Sequence, residues 1–294
     1  MREITGVVII VNPNSTRAKK DLAGKFKRQL TRTNRAIKVH IVESNAPGHA
    51  EEIAASYADK PHVVVLSASG DGSYNEVVNG ILQSWSVDHP LLGVIPSGNA
   101  NDHYHAVAKG SMVRHIAKGH SKPLDVLRVV FMNSRGKEIV RYAHSYIGFG
   151  LTSYIRKELD RENVNAFTEK IVAARSFVAS RPIKIRRLSE DLELDSLLFT
   201  NINVIAKIFK FSKHTAPDDG KFEVHVIRHS TQLHKAGEVM RLRSNKSTVR
   251  SRRTPYAFTA LEQIDIQIDG EVLKVGKDSR VVIDVLPHAI RTVL

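Results

Sequence analysis

Cysteine is absent from the 294 residues, which excludes disulfides, thiolate zinc sites and a cysteine nucleophile and is compatible with a reducing cytosol. Aromatic residues make up only 6%, and no RNP-like aromatic motif or zinc finger occurs, so base-stacking platforms have little support and nucleic acid is a disfavoured partner. Nowhere do about 18 apolar residues run together. The opening "MREITGVVIIVNP" carries too short an apolar run for a signal peptide. These absences predict a soluble or peripheral protein. No GxxxxG is followed by Lys-Ser or Lys-Thr, and no GxGxxG is completed, so P-loop and ordinary dinucleotide readings fail. Internal repeats and low-complexity tracts are also missing.

What is present is an apolar fraction of 42% and a formal charge of +14. The first supports a substantial core and, at this length, two domains. The second favours an anionic partner: nucleotide phosphates, a lipid surface or nucleic acid. Over 1–123, apolar strands "GVVIIVNP", "AIKVHIVES", "HVVVLSAS" and "LLGVIPSG" alternate with helical patterns such as Leu22, Phe26, Leu30 and Val77, Val78, Ile81, Leu82, Trp85. Near-continuous Val, Ile and Leu predict strands covered on both faces, hence a parallel sheet flanked by helices. From 124 to 286 the texture is period-two: "VLRVVFM", "KEIVRYAHSYIGFG", "KFEVHVIRH", "QIDIQID" and "RVVIDVL" predict an antiparallel β domain, with a mixed helical stretch at 151–180. Residues 287–294 read as a terminal strand that could return to the first domain.

Ligands of open α/β sheets bind at the carboxyl ends of strands, where loops lead into helix N-termini that favour anions. Two loops fall there: Gly70-Asp71-Gly72-Ser73 after the third strand, and Pro96-Ser97-Gly98-Asn99-Ala100-Asn101-Asp102 after the fourth. Glycine lets backbone approach a phosphate, and Ser73, Asn75 and Asn99 offer donors. An Asp between two glycines repels phosphate unless a cation intervenes. Asp71 and Asp102 therefore suit water-mediated Mg²⁺, an ion that takes one or two carboxylates and keeps waters. A tight turn with Asp capping the next helix is the alternative. His103 and His105, one residue apart, diverge on a helix and are expected as surface or cap residues rather than a metal pair.

These segments resemble the diacylglycerol kinase catalytic-domain family of lipid kinases, which includes bacterial diacylglycerol kinases and the sphingosine and ceramide kinases. "VNPNS" (11–15) is similar to its NP-x-S loop, "SGDGSYNEVVNGI" (69–81) to its GGDGT-x-x-EV-x-NG signature, and "GVIPSGNANDHYHA" (93–106) to its P-x-GT-x-ND-x-A segment. "PLDV", "IGFG", "APDDGKFEV" and "IQIDGE" follow in the family's order. Where the family usually has Thr, this chain has Ser73 and Asn99; where it usually has Gly, Ser69 stands in a "SGDG" form that resembles the sphingosine-kinase branch.

The resemblance implies a Rossmann-like N-terminal domain, a C-terminal antiparallel β-sandwich and ATP in the cleft between them. It implies that Asn12, Pro13, Ser69, Gly70, Gly72, Ser73, Asn75, Gly98, Asn99 and Asn101 line the nucleotide site with Glu76 beside it. Asp71, Asp102 and Asp125 match a carboxylate-and-water network around Mg²⁺, and Asp269, with Glu271 nearby, matches the general base. The residues themselves put Ile264, Ile266 and Ile268 on one strand face and Asp269 at the strand end, where a turn could expose it; a plain "DG" hairpin is the competing reading. The acceptor is then the hydroxyl of a lipid such as diacylglycerol or a long-chain base. The basic stretches 207–214 and 241–256 could dock a cytoplasmic, peripheral enzyme on anionic headgroups. A second copy of the chain stays open as a partner. An NAD-kinase-like enzyme and a non-catalytic anion-binding protein on the same scaffold remain alternatives.

Overall fold

The structure, a computed structural model, describes residues 2–13, 15, 21–84, 86, 88–98, 101–108, 110–155, 181–205, 209–210, 215–231 and 250–293. The chain divides into two compact units: Met1–Val126 with Pro217–Asp219 and Pro287–Leu294, and Leu127–Ala216 with Gly220–Leu286.

The first unit runs β1 (Gly6–Val11), α1 (Leu22–Thr33), β2 (Lys38–Glu43), α2 (His49–Ala55), β3 (Val63–Ser69), α3 (Asp71–Leu82), β4 (Leu91–Pro96), α4 (Asp102–Val107) and α5 (Met112–Ala117), then enters β5 (Lys122–Met132). Its strands pair in parallel in the order β2-β1-β3-β4. The last residues of the chain join beside β4, with Thr292 opposite Leu92. Val7, Ile9, Val64, Leu66 and Leu91 are wholly buried with Leu30 and Ile116 from the helices, as continuous apolar strands require. β2 departs from that expectation: among the described residues it pairs with β1 alone, Ile41 is 40% exposed, and Lys38, His40 and Glu43 face solvent, a composition that protects an edge. The glycine of "NG" is a packing device, because a Cβ on Gly80 would lie 2.2 Å from the Glu51 carbonyl oxygen, so α3 meets α2 at backbone contact.

The second unit contains β6 (Glu138–Ala143), β7 (Tyr146–Gly150), β8 (Ile183–Arg187), β9 (Glu190–Thr200), β10 (Val204–Ile205), β11 (Phe209–Lys210), β12 (Phe222–Arg228), β13 (Arg250–Arg252), β14 (Tyr256–Ala260), β15 (Ile264–Ile268), β16 (Glu271–Val275) and most of β17 (Arg280–Thr292). Among the described residues, β6 pairs with β5, β7 with β9 and β15, β8 with β9 and β14, β12 with β9 and β13, β14 with β17, β15 with β16 and β10 with β11, all antiparallel. Inward-facing residues form one core in which Phe149 meets Phe258 edge-on at 5.3 Å and Phe199 meets Tyr256 at 5.1 Å. The segment 137–150, read as continuous in sequence, is broken: β6 ends at Ala143 and β7 starts at Tyr146, leaving His144 and Ser145 between them.

Of the helical stretch expected at 151–180, residues 151–155 are helical and the rest lie outside the described residues. So do Trp85, most of 207–214 and residues 241–249 of the basic connection. Among the described residues no helix is long and apolar enough to cross a membrane.

Candidate active site

In the order β2-β1-β3-β4 the strand sequence reverses between β1 and β3, and ligands of such sheets sit outside the carboxyl ends at that reversal. The turns after β1, β3 and β4 occupy this edge and are tied to one another. Asn12 Nδ2 donates to Ser73 Oγ at 3.2 Å, linking the first turn to the first turn of α3. Ser97 N and Gly98 N both donate to the Ser69 carbonyl at 3.2 Å. Gly70 and Gly98 stand back to back: a Cβ on Gly98 would lie 2.3 Å from Gly70 Cα and 2.8 Å from its nitrogen. Neither loop could hold this geometry with an alanine at 98.

The Asp between the two glycines has a definite task. Asp71 Oδ2 accepts from Asp102 N at 3.0 Å and Oδ1 from His103 N at 3.2 Å, so the carboxylate caps α4 from the neighbouring loop. α4's own N-cap residue, Asn101, cannot do this. It sits in the left-handed region at φ 52° and turns its side chain back to Gly98, accepting from the nitrogen at 3.2 Å and donating to the oxygen at 2.8 Å. The sequence alternatives for "GDG" thus coincide in part: Asp71 is a cap, for the helix after the second loop rather than the one it begins.

The other expected residues separate into those at the strand ends and those turned away. Pro13 follows Asn12, and Gly72 and Ser73 open α3. Ser69 is buried with its hydroxyl 2.5 Å from that of Ser67. Asn75 is buried within α3, its carbonyl accepting from Asn79 Nδ2. Glu76 accepts from Ala50 N at 3.2 Å and supplies the cap that Gly48, preceding α2, lacks. Asn99 lies outside the described residues. Asp125 is buried; its Oδ1 accepts from His288 N at 2.8 Å and its backbone nitrogen donates to the Pro217 carbonyl at 2.8 Å, joining the three pieces of the first unit. The two histidines diverge on α4, but His103 is not a surface residue: it is 2% exposed and its ring lies 4.9 Å from that of Tyr74. Contact with the buried Tyr74 ring of α3 is what takes His103 out of solvent.

The carboxylates at these turns bear on Mg²⁺. Among the described residues no group of three His, Cys, Asp or Glu side chains gathers to hold a metal directly. Asp71 and Asp102 stand at adjoining turns with the Asp71 carboxylate already accepting backbone N–H donors. That fits Mg²⁺ held through its waters and does not fit a direct protein cage.

In the second unit β15 and β16 form a hairpin whose two-residue turn is Asp269-Gly270, both with positive φ (44° and 103°), the conformation Asp-Gly supports. The expectation that this turn exposes Asp269 is corrected: the residue is 2% exposed. Its carboxylate folds inward to the break between β6 and β7, where Oδ2 accepts from Ser145 N at 3.1 Å and Oδ1 from Tyr146 N at 2.8 Å. His144 Nε2 lies 3.4 Å from Oδ2. Sequence reasoning passed over His144 and Ser145; the signal was that alternation in "RYAHSYIGFG" places two polar residues where a strand should continue. Glu271 is paired with Arg141 at 3.3 Å.

Comparison with known proteins agrees with this layout. Residues 6–129 match the family model described as the diacylglycerol kinase catalytic domain. The chain is similar to a diacylglycerol kinase of Staphylococcus saprophyticus, 27% identical over 240 residues that cover 76% of this chain and 75% of the other. It is likewise similar to one of Staphylococcus aureus strain Newman, 25% identical over 230 residues covering 71% and 68%. A crystal structure of a diacylglycerol kinase from Bacillus anthracis shares the fold, with a TM-score of 0.71 at 18% identity over 100% of this chain and 98% of that one. Yeast NADH kinase shares it more distantly, with a TM-score of 0.56 at 11% identity over 99% of this chain and 83% of that one. Residues 6–129, the stretch that matches the diacylglycerol kinase catalytic domain model, hold all three linked turns.

Proposed function

We propose that this protein is a lipid kinase that transfers the γ-phosphoryl group of ATP, with Mg²⁺, to a hydroxyl of diacylglycerol or a long-chain base. The observation that carries the proposal is the pair of glycine turns held back to back at the ends of adjacent parallel strands, with Asp71 fastened across them to the start of α4. Phosphoryl transfer asks mainly for positioned phosphates, charge neutralisation and acceptance of one proton. Backbone at Gly70, Gly72 and Gly98 is open enough to approach phosphate oxygens. Asn12, Ser73 and Asn101 supply polar groups around those turns, with Ser69, Asn75, Glu76, Pro13 and Asn99 assigned beside them.

Asp71, Asp102 and Asp125 are assigned to hold Mg²⁺ through water. When bound, the ion neutralises phosphate oxygens. Asp269 is assigned as acceptor of the hydroxyl proton, with Glu271 nearby as a second carboxylate. The lipid oxygen keeps its electron pair, bonds to the γ-phosphorus, and ADP departs with the bridging oxygen. A formal charge of +14 over the whole chain favours a peripheral position at anionic headgroups, about 1 kcal/mol per well-placed Lys or Arg.

The test is transfer from labelled ATP with Mg²⁺ to diacylglycerol, monoacylglycerol, sphingosine, ceramide and undecaprenol in mixed micelles. NAD serves as control, and Asp269→Asn runs alongside. Label is expected in one lipid and is expected to vanish in the variant. Label in NAD alone, or in no acceptor from folded protein, refutes the proposal.

A further inference from the structure

The break between β6 and β7 is built around the Asp269 carboxylate. Two backbone donors come from Ser145 and Tyr146, at 3.1 and 2.8 Å. The third neighbour is a side chain, His144, whose Nε2 is 3.4 Å from Oδ2, with both side chains fully excluded from solvent. On the far side of the ring, His144 Nδ1 is 2.7 Å from Ser145 Oγ. Asn201 fixes the same corner through the backbone: its nitrogen donates to the Ser145 carbonyl at 2.8 Å and its Nδ2 to the His144 carbonyl at 3.2 Å.

An ionised carboxylate only accepts hydrogen bonds, so the ring nitrogen facing it must carry the proton. In the neutral imidazole Nδ1 is then the acceptor, and the Ser145 hydroxyl donates to it. The chain Ser145 Oγ–H to His144 Nδ1, then His144 Nε2–H to Asp269 Oδ2, leaves one consistent set of tautomers. We propose that His144 is a positioning residue for the phosphoryl-transfer reaction: Ser145 fixes its tautomer, and its Nε2–H holds the Asp269 carboxylate in the direction from which it takes the lipid hydroxyl proton. This rests on Asp269 being the base, as argued above. The proton passes from the lipid oxygen to Asp269, and His144 keeps its own.

Backbone donors alone would anchor Asp269 equally well in a purely structural turn; a buried histidine with a dedicated hydroxyl behind it adds an orientation that a structural latch does not need. The experiment is steady-state kinetics of His144→Gln, His144→Leu, Ser145→Ala and Asp269→Asn with ATP and the accepted lipid. It is run beside thermal unfolding and ¹⁵N NMR of the histidine ring, with the His144 signal assigned by its loss in His144→Gln. Gln can place an amide N–H near the position of Nε2. His144→Leu is expected to lower kcat roughly 10- to 100-fold, the scale of a misplacement of about 1 Å, with KM for both substrates unchanged. His144→Gln should recover most of that loss, Ser145→Ala should fall between, and the ring should show protonated Nε2 and bare Nδ1.

Wild-type kcat in folded His144→Leu, with Asp269→Asn inactive, overturns the proposal and leaves the base assignment standing. Full activity of Asp269→Asn instead overturns the base assignment itself. If His144→Leu fails to fold, the Gln variant and the tautomer decide: a ring protonated at Nδ1, or a Gln variant folded and 10-fold or more slower, refutes the role.

Discussion

Asp71 caps α4 and is proposed to hold Mg²⁺ through water, and the two roles can be separated. Replacing it with Ala removes both acceptors from the start of α4, the nitrogens of Asp102 and His103 at 3.0 and 3.2 Å, while Asn101, engaged with Gly98, cannot replace them. Losing an N-cap costs about 0.5–2 kcal/mol, and hydrogen bonds to a charged group lie at the upper end of the range. Two such bonds in a partly buried site put Asp71→Ala at about 2–3 kcal/mol. Asp71→Asn keeps one acceptor and should cost about half as much. Amide hydrogen exchange at residues 102 and 103 reads this directly, since about 1.4 kcal/mol is tenfold in an opening equilibrium; protection should fall roughly 30-fold or more in the Ala variant. Phosphoryl transfer should fall roughly 100-fold or more in both variants. A loss of about 1 kcal/mol cannot produce that in a protein that remains folded, so the excess belongs to chemistry. Unchanged protection in Asp71→Ala refutes the cap, and Asp71→Asn with wild-type turnover refutes the metal-site role.

Gly80→Ala should destabilise by about 1–3 kcal/mol in chemical denaturation, opposite to helix propensity, because its Cβ would meet the Glu51 carbonyl at 2.2 Å; a gain in stability would show that α2 and α3 separate freely. Gly98→Ala should push the two glycine turns apart, so kcat/KM for ATP is expected to drop roughly tenfold or more, and an unaltered value removes these turns from the nucleotide site. His225, 3% exposed with Nε2 3.2 Å from Thr200 Oγ1, is held by burial at a pKa of about 4, below the ordinary 6.5. The unfolded chain therefore binds the extra proton between those values, and stability falls as pH drops from 6.5 towards 4, by about 3 kcal/mol at 1.36 kcal/mol per unit. Denaturation midpoints across that window should fall less steeply in His225→Leu than in the wild type, and parallel slopes would refute the assignment.

Local pattern was enough for the elements that bury one kind of side chain. Continuous Val, Ile and Leu in β1, β3 and β4 announced a parallel sheet because helices cover both of its faces, and strict alternation announced the antiparallel unit. The positions of the glycine turns were legible as well, since Gly-Asp-Gly and Pro-Ser-Gly follow apolar strands directly, and the family resemblance rested on those residues. What the sequence by itself could not determine was the direction of each polar side chain. That Asp71 caps the neighbouring loop's helix, that Glu76 caps α2, and that Asp269 folds inward onto His144 and Ser145 are bonds spanning 31, 26 and about 124 positions. No local periodicity encodes such partners. Only the tertiary structure decides them, because a buried carboxylate must satisfy itself with whichever N–H groups the packing of distant strands brings within reach.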